Sequence, residues 1–140
     1  MTERLYGAEL VDDVARLSCM NMLLHGMSAE SADEVLVEVR DANGSHGGKY
    51  YEMVMTNPRF GKKSSVTIVN EEGKAKKESL TIHRDDFWES TTNKQLNFLQ
   101  HVFTILKQHG CAAIVVTDNV RFEAGAGEKV RRELLKHADV

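Results

Sequence analysis

The sequence contains very little proline, cysteine or aromatic side chain. Of its 140 residues, only Pro58 is a proline, only Cys19 and Cys111 are cysteines, and aromatic residues make up 6%. A single proline excludes a proline-rich linker. Two cysteines without a Cys-x-x-Cys spacing exclude a disulfide-stapled secreted scaffold, so we expect two reduced core thiols in a cytoplasmic protein.

The chain also lacks a basic excess, a metal-ligand pattern and a long apolar run. Its 18 Lys and Arg residues face 21 Asp and Glu residues, which gives a net charge of -3. No global positive field draws the chain onto DNA, so any such contact must be local or supplied by a partner. The histidines are scattered, no basic and apolar leader opens the sequence, and no apolar stretch approaches about 18 residues. We therefore expect neither a metal site nor a membrane span.

What remains is an alternation of predicted strands and helices. In chain order these are a strand at 4–9, a helix at 10–25, strands at 34–40 and 50–56, a helix at 92–108, a strand at 112–117 and a helix at 128–138. A polar stretch at 61–85, with alternating residues at 65–69 and 79–82, predicts an inserted β-hairpin or ordered loop. The order predicts one α/β domain over 1–140 with a mostly parallel sheet.

Apolar spacing predicts which faces of these elements are buried. The first helix is expected to end at Gly26, and the second to be capped by Thr92 or Asn93 and to stop at Gly110. The continuous apolar run 112–117 is expected to be buried on both faces. The residues predicted to face inward from the three helices are Leu10, Val14, Leu17 and Leu24; Leu96, Leu99, Val102, Phe103 and Leu106; and Val130, Leu134 and Leu135.

Polar side chains stand at the ends of four predicted strands. These are Glu9, Asp41, Asn57 and Asp118. In open parallel sheets, ligands bind outside the carboxyl ends of the strands. The four residues are therefore candidate ligand contacts, although Glu9 also fits a surface strand end and Asp41 an ordinary turn.

The tetrapeptide Asn57-Pro58-Arg59-Phe60 directly follows a hydrophobic strand. Without further evidence, this tetrapeptide could simply be a turn that ends the strand, because proline cannot continue a strand ladder. It resembles the Asn-Pro-Pro-Phe/Tyr motif of amino methyltransferases, with Arg59 in place of the second proline. The resemblance implies that the Asn57 side chain and the Pro58 carbonyl accept the N–H bonds of the target amino group. It also implies that Phe60 stacks on the flipped adenine.

Further blocks, in order and spacing, are similar to the modification subunit of type I restriction-modification systems over about residues 4 to 138. They are Phe60-Gly-Lys-Lys-Ser-Ser-Val-Thr, Arg84-Asp-Asp-Phe-Trp, Asn93-Lys-Gln-Leu-Asn-Phe-Leu-Gln-His101 and Asp118-Asn-Val-Arg-Phe-Glu. This resemblance implies N6-adenine DNA methylation with S-adenosylmethionine, and DNA, specificity and restriction subunits as partners. It also implies that Glu9 binds the ribose hydroxyls of the cofactor and Asp41 contacts its adenine ring.

The sequence lacks the Asp-Pro-x-Cys-Gly-Ser-Gly-Gly run with which this family opens its cofactor site. The expected fold is therefore a partial Rossmann-like methyltransferase sheet without its first strand, which belongs between the strands at 4–9 and 50–56. Its absence leaves two half-sheets with exposed edges, which invite self-association or rearrangement. We expect the chain to be inactive on its own. Thr117 and Arg121 also depart from the family pattern, and with Arg59 they are expected around the adenine pocket.

Two other functions fit the same residues. The chain could be a non-catalytic remnant that acts as a self-association or partner-binding module. Similar Asn-Pro-Pro-Tyr/Phe motifs also occur in methyltransferases that act on RNA or on protein glutamine amides. The insertion at 61–85 and the block that begins at Asp118 favour the type I DNA family over that last alternative.

Overall fold

The computed structural model describes residues 5–27, 36–44, 47–58 and 81–140, and the backbone of two strands at 65–69 and 75–79. The chain divides into two compact units, Met1–Ser45 and His46–Val140. The sequence-based assignment of a single partial catalytic domain to 1–140 stays a prediction.

The first unit contains a strand, a helix and a second strand. They are β1 (Gly7–Glu9), α1 (Asp12–Leu24) and β2 (Val37–Val39). β1 and β2 are parallel, with Gly7 opposite Val37, and α1 contacts both strands. The helix ends at Leu24, and Gly26 follows its C-cap residue with a φ of 76°, which favours glycine. These three predicted elements and the predicted helix stop are confirmed.

The predicted inner face of α1 is wrong. Ala15 is the buried residue of this helix at 3% exposure, whereas Leu17 is 65% and Leu24 84% exposed. Ser18, Cys19 and Met22, which share the side of Ala15, are half-buried. The reason is geometric: a sheet of two short strands covers one side of a helix, and the first unit offers the leucine side no second layer among its described residues.

The second unit carries the remaining seven elements among the described residues. They are β3 (Tyr51–Thr56), β4 (Ser65–Val69), β5 (Ala75–Ser79), α2 (Lys94–Ile105), β6 (Leu106–Ile114), α3 (Asp118–Phe122) and α4 (Ala126–His137). β3 and β6 are parallel, and β4 and β5 form an antiparallel hairpin. The predicted hairpin is confirmed, but its second strand was placed too late. Val69 pairs with Ala75, so the second strand of the hairpin begins earlier in the sequence than predicted.

The strand after α2 differs from the prediction in position and burial. α2 ends at Ile105, and β6 spans Leu106–Ile114 in place of 112–117. Cys111, Ala112 and Ala113 are exposed, so the expected burial on both faces, and the expected core position of Cys111, are wrong. An open cavity of about 510 Å³ lies between α2, β6 and the end of α4, so helices do not seal this strand.

The core of the second unit joins three helices. Leu96 of α2, Val120 of α3 and Val130 of α4 are at most 3% exposed and form one cluster, with Trp88 packed against it. The predicted burial of Leu96, Val102 and Val130 is confirmed, whereas Leu135 is 66% exposed. α3 was not predicted, since five residues are too few to show a helical period. This core fixes the helices that flank the carboxyl end of β6.

Candidate functional site

The carboxyl ends of β1 and β2 lie side by side. The Arg40 amide donates to the Glu9 carbonyl at 2.9 Å, which places Glu9 next to the residue before Asp41. Glu9 is half-exposed, and its Oε1 accepts the Val11 N–H at 3.0 Å. Asp41 is exposed, and its Oδ1 accepts the Asn43 N–H at 2.9 Å in an Asx turn. The first unit thus brings both predicted cofactor residues to one edge.

Arg40, the residue before Asp41, is held in an ion pair. Arg40 Nε lies 2.8 Å from a Glu38 carboxylate oxygen, and Tyr6 donates its hydroxyl to the same oxygen. Partial burial disfavours the charged guanidinium, but hydrogen bonds with Glu38 and Tyr6 outweigh it and raise the pKa of Arg40. Arg40 therefore stays charged beside this edge, where the Glu38 carboxylate neutralises it.

In the second unit, Asn57 follows β3 directly. Its side chain is exposed, whereas Pro58 is buried, and Phe60 lies outside the described residues. The Val115 amide donates to the Thr56 carbonyl at 3.1 Å, so the chain just after β6 runs beside the residue before Asn57. An exposed amide is thus held at an open strand end by a buried proline. Its side-chain oxygen is an exposed hydrogen-bond acceptor.

Thr117, which follows β6, takes part in a polar network that the sequence did not reveal. Its hydroxyl donates to the buried Gln95 Oε1 at 2.5 Å. Asn93 caps α2 by accepting the amides of Gln95 and Leu96, as predicted, and its Nδ2 donates to Glu123. The strand end beside Asn57 is therefore tied to the start of α2. The Asn93 cap can be predicted from the local sequence. The bond between Thr117 and Gln95 cannot, because the two residues are 22 positions apart.

The other strand-end residues lie on α3. Asp118 occupies its first turn and is exposed. Residues 115–117 separate it from the end of β6, whereas Asn57 follows β3 directly. The guanidinium of Arg121 lies 5.7 Å from the centre of the Phe122 ring, which is 76% exposed. The second unit thus places Asn57 and Asp118 after neighbouring parallel strands. The predicted clustering of Arg59 with Thr117 and Arg121 stays a prediction, because Arg59 lies outside the described residues.

Across the described ranges, no group of three or more His, Cys, Asp or Glu side chains is arranged to hold a metal ion. No helix within those ranges is long and apolar enough to cross a bilayer. These groups can accept hydrogen bonds: the Glu9 and Asp41 carboxylates follow the strands of one sheet, and the exposed Asn57 amide follows a strand of the other.

A family model described as N-6 DNA Methylase matches residues 1–140. The chain belongs to the N-6 DNA methylase family. It is 35% identical over 131 residues to the EcoKI methylase subunit of a type I restriction enzyme from Escherichia coli strain K12, covering 92% of this chain and 22% of that protein. The StySJI methylase subunit of Salmonella typhimurium strain LT2 and the StySPI subunit of Salmonella potsdam have the same identity and coverage.

The crystal structure of the type I restriction enzyme EcoKI M protein matches with a TM-score of 0.70 and 34% identity. The match covers 93% of this chain and 24% of that one. The inferred resemblance to type I modification subunits is thus confirmed, as is an α/β architecture with small parallel sheets. The chain spans less than a quarter of the length of these relatives. In these relatives, the region matched by this chain is one part of a much longer protein.

Proposed function

We propose that this segment holds the target adenine during S-adenosylmethionine-dependent N6-adenine DNA methylation in a type I restriction-modification system. We also propose that the 140-residue chain does not methylate DNA by itself. The observation that carries the proposal is the exposed Asn57 amide directly after the parallel strand β3, with Pro58 buried behind it. DNA, specificity and restriction subunits are the proposed partners, and the cytoplasm is the proposed location.

The proposed roles follow from hydrogen-bond chemistry. The adenine amino group is a poor nucleophile because its lone pair is delocalised into the ring. Asn57 Oδ1 and the Pro58 carbonyl would accept its two N–H bonds and favour a more tetrahedral nitrogen. Phe60 would stack on the base after it leaves the duplex. The cofactor, when bound, supplies the electrophilic methyl group.

The residues present fit the adenosine half of S-adenosylmethionine, but not its methionine half. Glu9 is a half-exposed carboxylate at a strand end, where an acid suits ribose hydroxyls. Asp41 is exposed, but one of its oxygens is already used in the turn, so it is the weaker contact. No Gly-rich turn for the methionine part occurs in this sequence. We therefore propose that cofactor capture by this chain alone is incomplete.

A partial Rossmann-like sheet is part of the same proposal. Among the described residues, β1 pairs with β2 alone and β3 pairs with β6 alone. Each sheet therefore has an edge without a neighbouring strand in the ranges described. These open edges support the proposal of an incomplete sheet.

A chimeric enzyme tests the role of Asn57. The aligned 131 residues of the E. coli EcoKI methylase subunit would be replaced by those of this chain. We expect Asn57→Ala to lower methyl transfer to DNA at least about 100-fold, because a preorganised hydrogen-bond partner of the reacting group is lost. Transfer of tritiated methyl groups, with cofactor binding measured in parallel, is the readout.

The matched control is Asn21→Ala, which removes an exposed asparagine of α1 that follows no strand. This variant should keep the activity of the parent chimera. If Asn57→Ala retained more than about a tenth of the parent rate, the proposed role would be wrong. A parent chimera that binds cofactor and DNA yet transfers no methyl group would contradict the proposal for the whole segment.

A second candidate function is a non-catalytic module that associates with itself. The unpaired edges of β1 and β3 in the described sheets favour it. At the β1 edge, Gly7 and Glu9 bond to β2 through their backbone, so the Ala8 amide points outward. Sedimentation should then show dimers at about 100 μM protein, and a strict monomer would exclude this function.

A further inference from the structure

Helix α3 is tied at both ends to the start of α2. Thr117, the N-cap residue of α3, donates its hydroxyl to Gln95 Oε1 at 2.5 Å. Glu123, the C-cap residue of α3, accepts a hydrogen bond from Asn93 Nδ2. A helix of five residues is too short to be stable by itself. The side chains at the start of α2 therefore help to fix where α3 lies.

The Thr117 hydroxyl does not cap its own helix. A threonine at this position usually accepts a hydrogen bond from an amide in the first turn, but Thr117 makes no such side-chain bond. Its hydroxyl is directed to Gln95 instead, and Gln95 is buried at 7% exposure. A buried amide oxygen is costly to leave without a donor, so the bond holds the two residues together.

The backbone of Thr117 has a φ of -81° and a ψ of 159°. This φ is close to the value of about -65° that a proline ring imposes. Threonine has no ring and can adopt other conformations, so a side-chain contact is needed to restrain it. The hydroxyl bond to Gln95 supplies that restraint.

The restrained residue lies close to the end of β3. The Val115 amide donates to the Thr56 carbonyl at 3.1 Å, and the exposed Asn57 is the next residue after Thr56. Thr117 is two residues beyond Val115, and Asp118 follows it. A displacement of Thr117 would therefore be passed through a short, extended segment to the strand end that carries Asn57.

We propose that Gln95 is a positioning residue for the base-holding site, acting through Thr117 on residues 115–118 beside Asn57. This inference rests on the proposed function, because the site that it positions is the one proposed for the target adenine. A small misplacement near a reacting group slows the chemical step. Gln95 should therefore affect kcat for methyl transfer, and not the KM for S-adenosylmethionine.

Amide hydrogen exchange of the 140-residue chain, followed by NMR, tests the positioning without any activity. Gln95→Ala and Thr117→Val each remove one partner of the bond and should speed exchange of the Val115 amide at least about tenfold. Thr117→Ser keeps the hydroxyl and should exchange like the parent. The matched control is Gln100→Ala, which removes another buried glutamine of α2, bonded to the Glu89 backbone. It should leave Val115 exchange unchanged.

The chimeric EcoKI methylase subunit tests the catalytic consequence. Gln95→Ala should lower kcat at least about tenfold and leave the KM for S-adenosylmethionine within about twofold of the parent. Adding Thr117→Pro should restore kcat to within about threefold, because proline fixes φ near the observed value without the hydroxyl. The Thr117 amide donates no hydrogen bond to any residue that the structure describes, so proline removes none there.

The outcomes separate this inference from the proposed function. Unchanged Val115 exchange in Gln95→Ala would overturn the inference, as would a loss of kcat that Gln100→Ala reproduces or that Thr117→Pro fails to restore. A chimera that is inactive, or indifferent to Asn57→Ala, would reject the proposed function and the catalytic consequence with it. The exchange rates would still decide whether Gln95 holds residues 115–118 in place.

Discussion

Leu96→Ala is expected to lower the free energy of unfolding by about 3–5 kcal/mol. Leu96 is fully buried and packs against Val120 and Val130, so it joins α2 to α3 and α4. Truncation removes three side-chain carbons and leaves a cavity that three rigid helices fill poorly. The free energy of unfolding of a small domain is only about 5–15 kcal/mol. The variant should therefore be barely stable.

Urea denaturation followed by circular dichroism measures the effect. The control is Leu135→Ala, which makes the same change at a position that is 66% exposed and should cost less than about 0.5 kcal/mol. Equal midpoints for the two variants would mean that the three-helix cluster is not the core of the second unit.

Gly110→Ala is expected to destabilise the chain by about 3 kcal/mol. A methyl group at this position would lie 2.9 Å from the Lys107 carbonyl and 3.0 Å from the Glu52 carbonyl. Both contacts are to backbone, so the strands themselves must move. Gly110 lies in the irregular part of β6, between the pairs Tyr51↔Leu106 and Met53↔Cys111. The shift would reach β3, the strand that presents Asn57.

Gly7→Ala is the matched control, because its new methyl group would meet Val37 at an ordinary 3.5 Å. Thermal unfolding of both variants should show a large drop in melting temperature for Gly110→Ala alone. Wild-type stability of Gly110→Ala would contradict the close approach of β6 to β3.

The order of the longer elements and three of the four strand-end residues were predictable from the sequence, whereas the short helix α3 was not. Pro58 cannot extend a ladder, so β3 had to end before it. The positions of Glu9 and Asp41 followed from the turns after short β-branched or apolar runs. These are local signals. They were sufficient for the order of the longer elements and for the strand-end positions of Glu9, Asp41 and Asn57.

Burial was less predictable, because it depends on what lies opposite each face. Leu17 and Leu24 have helical spacing, yet the sheet that would cover them is too small. The apolar sequence around Cys111 and Ala112 predicts buried residues. In the structure, however, β6 is open along the cavity at the end of α4. The bond between Thr117 and Gln95 joins distant residues and has no sequence signature.

We propose that this chain has the base-holding part of a methyltransferase site without a complete cofactor site. Saturation binding of S-adenosylmethionine, by calorimetry on the 140-residue chain and on Glu9→Ala, tests it most directly. We predict no saturable binding tighter than about 100 μM in either protein. A tighter dissociation constant that Glu9→Ala weakens would show a working cofactor site and contradict the account.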